Sequence, residues 1–269
     1  MLGDANLDVV VRPSGPIAEE TDTPSRIAVG AGGQAANVAA WITALGGRAR
    51  LIAARGTDPA SQLVADDLAR RGVDLAGPVI DGQTGVVVSL SDGGVSRSML
   101  TDRGIGPLLD AGALADEWLD GCTSLHLPAY SLVREPVAGA ALAAARRLPR
   151  LSIDLSSTAA LAGYGVDRFR ALLISLHPQV VFGNEAEAAL IGDLAGSDLA
   201  GSDLPGSELV VKLGPGGVRA NGRVYAAHPA RAVDPTGAGD AFAAGYLLGG
   251  VTLGLEAAAR AVAQMGAMP

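Results

Sequence analysis

The stretch DPTGAGDAFAAG, Asp234 to Gly245, sets three glycines and two aspartates into twelve residues. Glycine at that density forfeits side-chain packing and raises the entropic cost of ordering, so something there requires bare backbone. Consecutive backbone N–H groups at a helix N-terminus make an anion site, reinforced by the helix dipole. Gly237, Ala238 and Gly239 can supply such amides, and Asp240 opens the helical pattern that follows. Amides placed this way stabilise a phosphoryl group in transit, and the adjoining carboxylate can accept a proton from an attacking hydroxyl. A base near a helix N-terminus should also have a lowered pKa. The plainer reading is a glycine turn whose aspartate caps a helix. Spacing alone leaves both open.

A second glycine loop, GAGGQA from Gly30 to Ala35, satisfies the pattern G-x-G-x-x-A between a strand and a helix. In a dinucleotide fold it would hold a pyrophosphate, and Arg55 could then meet a 2′-phosphate, which points to an NADP-dependent oxidoreductase. That pattern is short, and it leaves Gly237 to Gly239 unexplained. The Gly-x-x-x-x-Gly-Lys-Ser/Thr loop of P-loop enzymes is not present. His126, His177 and His228 lie far apart, two of them before proline, with no metal-ligand spacing, so they read as structural.

The elements that must position these loops follow from periodicity. Short apolar runs alternate with helical patterns over most of the 269 residues, as in βαβ units around a mostly parallel sheet. RARLIAARG reads as a strand. Asp58-Pro59 then supplies an N-cap and a first-turn proline, Leu63, Val64 and Leu68 form an inner helical face, and Gly72 ends the helix. LSIDLSS, QVVFGN and ELVVKLG read as further buried strands. Residues 84–100 alternate with period two about Asp92-Gly93-Gly94, which predicts a hairpin. With LDVVV and SRIAVG, that hairpin could build a small separate sheet, one face of which covers something. GSDLAGSDLPGSEL, from Gly196, is an imperfect short repeat that reads as a solvated loop. Gly3-Asp4 looks like the turn after a strand that is nearly absent, or whose natural start lies upstream.

Composition narrows the function. Apolar residues make up 49% of the chain but aromatics only 3%, so Ala, Val and Leu must fill the core. The net charge of −8 comes from interspersed residues without a Lys/Arg block, which argues against a nucleic-acid partner. A lone cysteine, Cys122, favours a reducing compartment, and no secretory signal opens the sequence. Ala241 to Leu255 is too short to span a bilayer and is broken at Gly249-Gly250. A cytoplasmic protein with no membrane association is expected.

AGGQAANVAAWITALGG resembles the first signature of the ribokinase-like (PfkB) family of carbohydrate kinases, and DPTGAGDAFAAG resembles its second. GDANLD, GNEAE and VVKLGPGGV stand between and around them in the family's order, so the likeness runs from about residue 3 to the C-terminus. It implies a single ribokinase-like domain over residues 1–269, a three-layer α/β/α sandwich with a mostly parallel central sheet. It also implies a small β lid from roughly 8–30 and 84–103. The implied activity is ATP-dependent phosphorylation of a hydroxyl on a small carbohydrate, with Mg²⁺ and, in some members, a monovalent cation such as K⁺. A homodimer formed through the lid is part of the same expectation.

By match to the signatures, Asp240 is the expected base and Gly237, Ala238 and Gly239 the anion hole. Asn6, Asp8, Gly32, Gly33 and Asn37 match positions that bind sugar hydroxyls, and Arg103 falls near the substrate, where it could meet an anionic group or lie on the surface beside the hinge. Asn37 could alternatively sit on an exposed helix face. Asn184, Lys212, Gly214 and Gly217 match nucleotide-binding positions, and Glu187 would help order magnesium through water. Asn184 and Glu187 equally form a capping box, and Lys212 could simply be solvated at a strand end. The chain departs from the pattern in its short first strand, its compact length and Pro235 in place of a common threonine. Three alternatives remain: a nucleoside kinase of the same fold, disfavoured by the lack of aromatics in the lid segments; the oxidoreductase; and a catalytically silent sugar-binding protein.

Overall fold

The computed structural model describes residues 1–91, 97–192 and 206–269. The hairpin tip at Asp92-Gly93-Gly94 and most of the short repeat after Gly196 lie outside the described residues.

Two sheets organise the chain. Asn6–Pro13 (β1) pairs antiparallel with Ser25–Gly32 (β2), which leads into the helix Gln34–Ala44 (α1). Arg50–Ile52 (β3), the helix Pro59–Arg70 (α2) and Asp74–Ala76 (β4) form one parallel βαβ step. Thr84–Ser91 (β5) and Arg97–Gly104 (β6) are antiparallel partners, and β5 also runs parallel to β1. The small sheet therefore has the order β2-β1-β5-β6. The main sheet continues through Leu125–Pro128 (β7), the helix Val137–Ala145 (α3), Leu151–Asp154 (β8), and the helices Thr158–Tyr164 (α4) and Val166–Leu176 (α5). Val180–Asn184 (β9), the helix Glu185–Ile191 (α6), Glu208–Lys212 (β10), Val218–Ala220 (β11), Arg223–Tyr225 (β12) and the helix Ala238–Val262 (α7) complete it.

Strands β7, β8, β9 and β10 are parallel; β11 runs antiparallel to β10, and β12, antiparallel to β11, returns to the direction of the others. Met1 to Gly3 fill the slot between β3 and β7: Leu2 bridges Ile52 in parallel, and its amide reaches the His126 carbonyl. Three residues thus stitch β3-β4 to the six-stranded sheet.

Strand residues alternate between two cores, because neighbouring side chains point to opposite faces. Leu51 and Phe182 pack with α1, α2 and α7 on one side; Ile52 and Val181 pack with α3, α4, α5 and α6 on the other. The result is a sheet between two helical layers. Trp41, Phe169, Phe182 and Phe242 are the largest side chains fully enclosed. Truncating Phe182 to alanine would cost about 3–5 kcal/mol, the usual range for an aromatic in a closed core.

Helix α2 begins as expected, with the Asp58 carboxylate accepting the Ser61 amide and Pro59 in its first turn. Val64 and Leu68 are buried, but Leu63 is exposed, because the buried stripe runs through Ser61, Val64, Asp67 and Leu68 instead. Helix α7 is long and apolar enough, by length and composition, to cross a membrane. It departs from helical geometry at Gly249 and Gly250, and it buries Ala241, Phe242, Ala243 and Ala244 in the core.

Candidate active site

The N-termini of α1 and α7 meet at the edge of the main sheet. Their facing turns carry Ala35, Ala36, Ala39 and Ala40 against Ala241, Ala243 and Ala244, all buried, so two helix starts can approach closely. That approach puts Asn37 Nδ2 at 2.7 Å from Asp240 Oδ2, a hydrogen bond across 203 positions of sequence. Asn37 is therefore buried and faces Asp240; the exposed-face reading is wrong.

Gly237 is the N-cap of α7 in the left-handed region, with φ 76°, and a Cβ there would lie 2.5 Å from Ala267 Cα. Both facts call for glycine. The loop before it is tied by Asp234, whose carboxylate accepts the Thr236 amide and hydroxyl and the Gly266 amide. Among the described residues, the amides of Gly237, Gly239 and Asp240 have no protein acceptor, as expected of an anion-binding turn. Ala238 differs from expectation: its amide donates to the Pro235 carbonyl at 3.3 Å, leaving it only weakly available.

The expectation of a lowered pKa for Asp240 is overturned. Burial pushes its carboxyl up to about 7; the Asn37 hydrogen bond opposes this, nearby Asp154 adds to it, Lys212 opposes it and Asp8 adds to it. Desolvation is the largest contribution here. Asp8, on β1, is also pushed up to about 7 by burial.

Asn6 and Asp8 project from the same face of β1 toward Gly32 and Gly85. A Cβ on Gly32 would fall 1.9 Å from Asp8 Cγ, and one on Gly85 would fall 2.4 Å from Asn6 Oδ1, so both glycines make room for these side chains. Gly33 caps α1 at φ 100°, hard against the Asp4 carbonyl. Among the described residues, Asn6 Oδ1, Asp8 Oδ1 and Asn37 Oδ1 are buried acceptors with no donor, and so is Oε1 of Gln34, which sequence reading did not single out. Orphaned buried acceptors are rare, and a ligand rich in O–H donors would satisfy them.

On the other flank, Lys212 at the end of β10 pairs with Asp154 at the end of β8, Nζ to Oδ2 at 2.7 Å. Burial pulls the ammonium pKa down, but the Asp154 carboxylate outweighs it and the net direction is up. A Cβ on Gly239 would lie 3.3 Å from Lys212 Nζ, so the ammonium stands against the glycine turn at the start of α7. It is not a solvated strand end. Asp154 was missed; its signal was a carboxylate ending a buried parallel strand, where α/β proteins gather their ligands. Asn184 and Glu187 form a full capping box, the Glu187 amide donating to Asn184 Oδ1 at 2.9 Å and the Asn184 amide to Glu187 Oε2 at 2.8 Å. Burial raises the Glu187 pKa against the Asn184 backbone bond, and Asp154 adds to the rise. Gly214 and Gly217, both at positive φ, shape the turn after β10; a Cβ on Gly217 would strike the Tyr225 carbonyl at 1.9 Å.

Arg103 is neither free nor on the surface: its guanidinium pairs with the Asp4 carboxylate and lies 4.3 Å from the ring centroid of Tyr130. The oxidoreductase reading fails on geometry. Strand β2, which ends in the Gly30–Ala35 loop, runs antiparallel at the edge of the small sheet rather than inside a parallel βαβ unit. The Ala31 amide is held by Asp67, and Arg55 donates to the Gly77 carbonyl at 2.9 Å.

Two glycine turns flanking a carboxylate, at the strand ends of a three-layer sandwich with an attached sheet, define a ribokinase-like phosphotransferase. The profile of the pfkB family carbohydrate kinases matches residues 1–268, and the chain belongs to that family. Among named relatives, the fructokinase of Salmonella typhimurium is 30% identical over 92% of this chain and 82% of its own. The adenosine kinase of Sinorhizobium meliloti superposes with a TM-score of 0.87 at 23% identity, over 100% of this chain and 94% of that one. A ribokinase II from E. coli, determined with ATP and Mg²⁺, superposes at 0.83 with 21% identity, over 99% and 93%. The protein is thus a kinase of the sugar and nucleoside class, a phosphotransferase acting on an alcohol.

Proposed function

We propose that this kinase transfers the γ-phosphate of ATP to a hydroxyl of a small sugar, with Asp240 as base and the amides of Gly237 and Gly239 as the main anion donors. The observation that carries the reading is the pairing of unclaimed amides with Asp240 in one helical turn, beside buried acceptors that lack donors. Asn6, Asp8 and Asn37 would orient the acceptor alcohol by receiving its O–H groups. Asp240 would take the proton of the attacking hydroxyl, a role suited to a carboxyl whose pKa lies at about 7. The amides would hold the developing charge on the phosphoryl oxygens, and the Lys212–Asp154 pair stands beside them.

Magnesium fits these residues as a nucleotide-borne ion. Among the described residues no group of three or more His, Cys, Asp or Glu is placed to hold a metal alone. Mg²⁺ commonly draws its ligands from phosphate oxygens and water with one or two carboxylates, and Glu187 is in the right neighbourhood to order such a water. The bound ion would offset phosphate charge. Asn184 and the turn at Gly214 and Gly217 would seat the nucleotide.

The small sheet would close over the acceptor and join two copies of the chain. Its inner face carries Asn6 and Asp8. Its outer face exposes Ile27, Val29 and Leu100 by 61%, 53% and 58%, next to Val9, Val11 and Val88. A cytoplasmic location agrees with the single free cysteine. A nucleoside acceptor is the second reading; Tyr130, stacked beside Arg103, gives the pocket the aromatic that the lid segments lack.

The test is ADP release with ATP, magnesium and a panel of sugars and nucleosides, for the wild type and Asp240→Asn. The variant should lose about 10²–10⁴-fold in turnover while still binding sugar. Wild-type turnover in that variant would refute Asp240 as base.

A further inference from the structure

The cluster around Asn6 continues into Asp4 and Arg103. A Cβ built on Gly106 would lie 3.2 Å from Asp4 Oδ1 and 3.9 Å from Asn6 Oδ1, so the two oxygens share one small region. The side chains of Arg103 and Asp4 are only 18% and 12% exposed, and they are ion-paired. The guanidinium also lies over Tyr130, which confines it to one side. An arginine facing an acceptor site ordinarily recruits a phosphate or carboxylate. Here its charge is already met.

The remaining charges in the cluster point the same way. Lys212 is matched by Asp154. Asp8 and Asp240 stand on the acceptor side, each becoming anionic through neutral pH. An anionic acceptor would therefore meet two carboxylates and cations that are already paired. An uncharged polyol would meet hydrogen-bond acceptors suited to its hydroxyls.

We propose that Asp4 is a specificity determinant that cancels the charge of Arg103, so that the pocket selects an uncharged acceptor alcohol and rejects its phosphate ester. This rests on the kinase reading above. Asp4 acts through Arg103 and touches no reacting atom; it is a positioning residue.

The experiment compares D-fructose and D-ribose with D-fructose 6-phosphate and D-ribose 5-phosphate, in the wild type, Asp4→Asn and Arg103→Gln. The readouts are kcat/KM and the thermal shift produced by each acceptor, the latter with magnesium and a non-hydrolysable ATP analogue filling the anion turn. The wild type should favour the neutral sugars. Asp4→Asn, with Arg103 released, should raise the ester-to-sugar ratio by about tenfold or more. It should also gain an ester-induced thermal shift that the wild type lacks. Arg103→Gln should leave esters as poor as before, and it serves in place of Asp4→Asn if that variant misfolds. A wild-type preference for an ester, an unchanged ratio in Asp4→Asn, or a selective loss of ester binding in Arg103→Gln would each overturn the proposal. Absence of turnover with every acceptor would instead count against the kinase reading, while the thermal shifts would still decide the role of Asp4.

Discussion

The hydrogen bond from Asn37 offsets part of the effect of burial on Asp240, the proposed base, and removing it should move the pH profile by a definite amount. Asn37 Nδ2 donates to Asp240 Oδ2 at 2.7 Å, and this bond opposes the burial that lifts the carboxyl to about 7. Hydrogen bonds to charged groups contribute roughly 1.5–3 kcal/mol, and one pKa unit corresponds to about 1.4 kcal/mol. Loss of the bond should therefore raise the Asp240 pKa by about one to two units. The base must be deprotonated to act, so activity falls as pH drops through its pKa. The acid limb of kcat, near pH 7 in the wild type, should move to about 8 in Asn37→Ala, where water can enter and replace part of the bond. Asn37→Leu fills the same volume without a donor and should move the limb further. The assay is initial-rate ADP formation at saturating acceptor and ATP across buffers from acid to alkaline pH. A change in KM alone would arise from lost contacts to the acceptor. Acid limbs in both variants that superimpose on the wild type would refute the assignment of that limb to Asp240.

Further outcomes follow from the same geometry. Asp154→Asn leaves Lys212 charged in a largely closed site and should destabilise the fold by about 3 kcal/mol or more in urea denaturation; a loss under about 1 kcal/mol would show that the pair is solvated. Gly32→Ala drives a methyl group into Asp8, which should raise the acceptor KM by about tenfold or more while the fold survives, because only one mobile carboxylate must swing away. Ile27→Lys places a charge on the apolar outer face of the small sheet and should convert a dimer to a monomer in sedimentation velocity; a wild type that is monomeric at every concentration would end that proposal.

What was legible in the sequence was local. The hairpin of β5 and β6, the Asp58 cap and the capping box at Asn184 each rest on residues a few positions apart, and each formed where its chemistry placed it. The two glycine turns were legible because positive φ and close approach leave few substitutes for glycine. The ion pairs were not. Asp4 meets Arg103 across 99 positions and Lys212 meets Asp154 across 58, and no short pattern encodes strand neighbours so distant. The direction of the Asp240 pKa was misjudged for a related reason. The dipole of α7 is visible in sequence, whereas the burial that raises the pKa depends on α1 arriving from residues far upstream. Leu63 erred more simply, since its apolar type suggested an inner face that the true helical phase gave to Asp67.

The alanine-rich composition and the chemistry are connected through that helix contact. Bulky side chains on the facing turns of α1 and α7 would hold the two N-termini apart, and Asn37 could then not reach Asp240. Alanine at positions 36, 40, 241 and 244 permits the approach, and Gly245 and Gly254 admit a further turn of backbone, where a Cβ would lie 2.5 Å from the Leu253 carbonyl and 2.8 Å from Phe242. Close packing of this kind stabilises little per side chain, since a buried methyl contributes only about 0.8 kcal/mol. Its effect is positional. It brings two helix N-termini and their dipoles to one edge of the sheet, while the surrounding apolar layer keeps the carboxylate between them only partly solvated. The alanines on these facing turns are thus what lets a carboxyl with a pKa near neutrality and a glycine turn share the first turn of α7 beside Asn37.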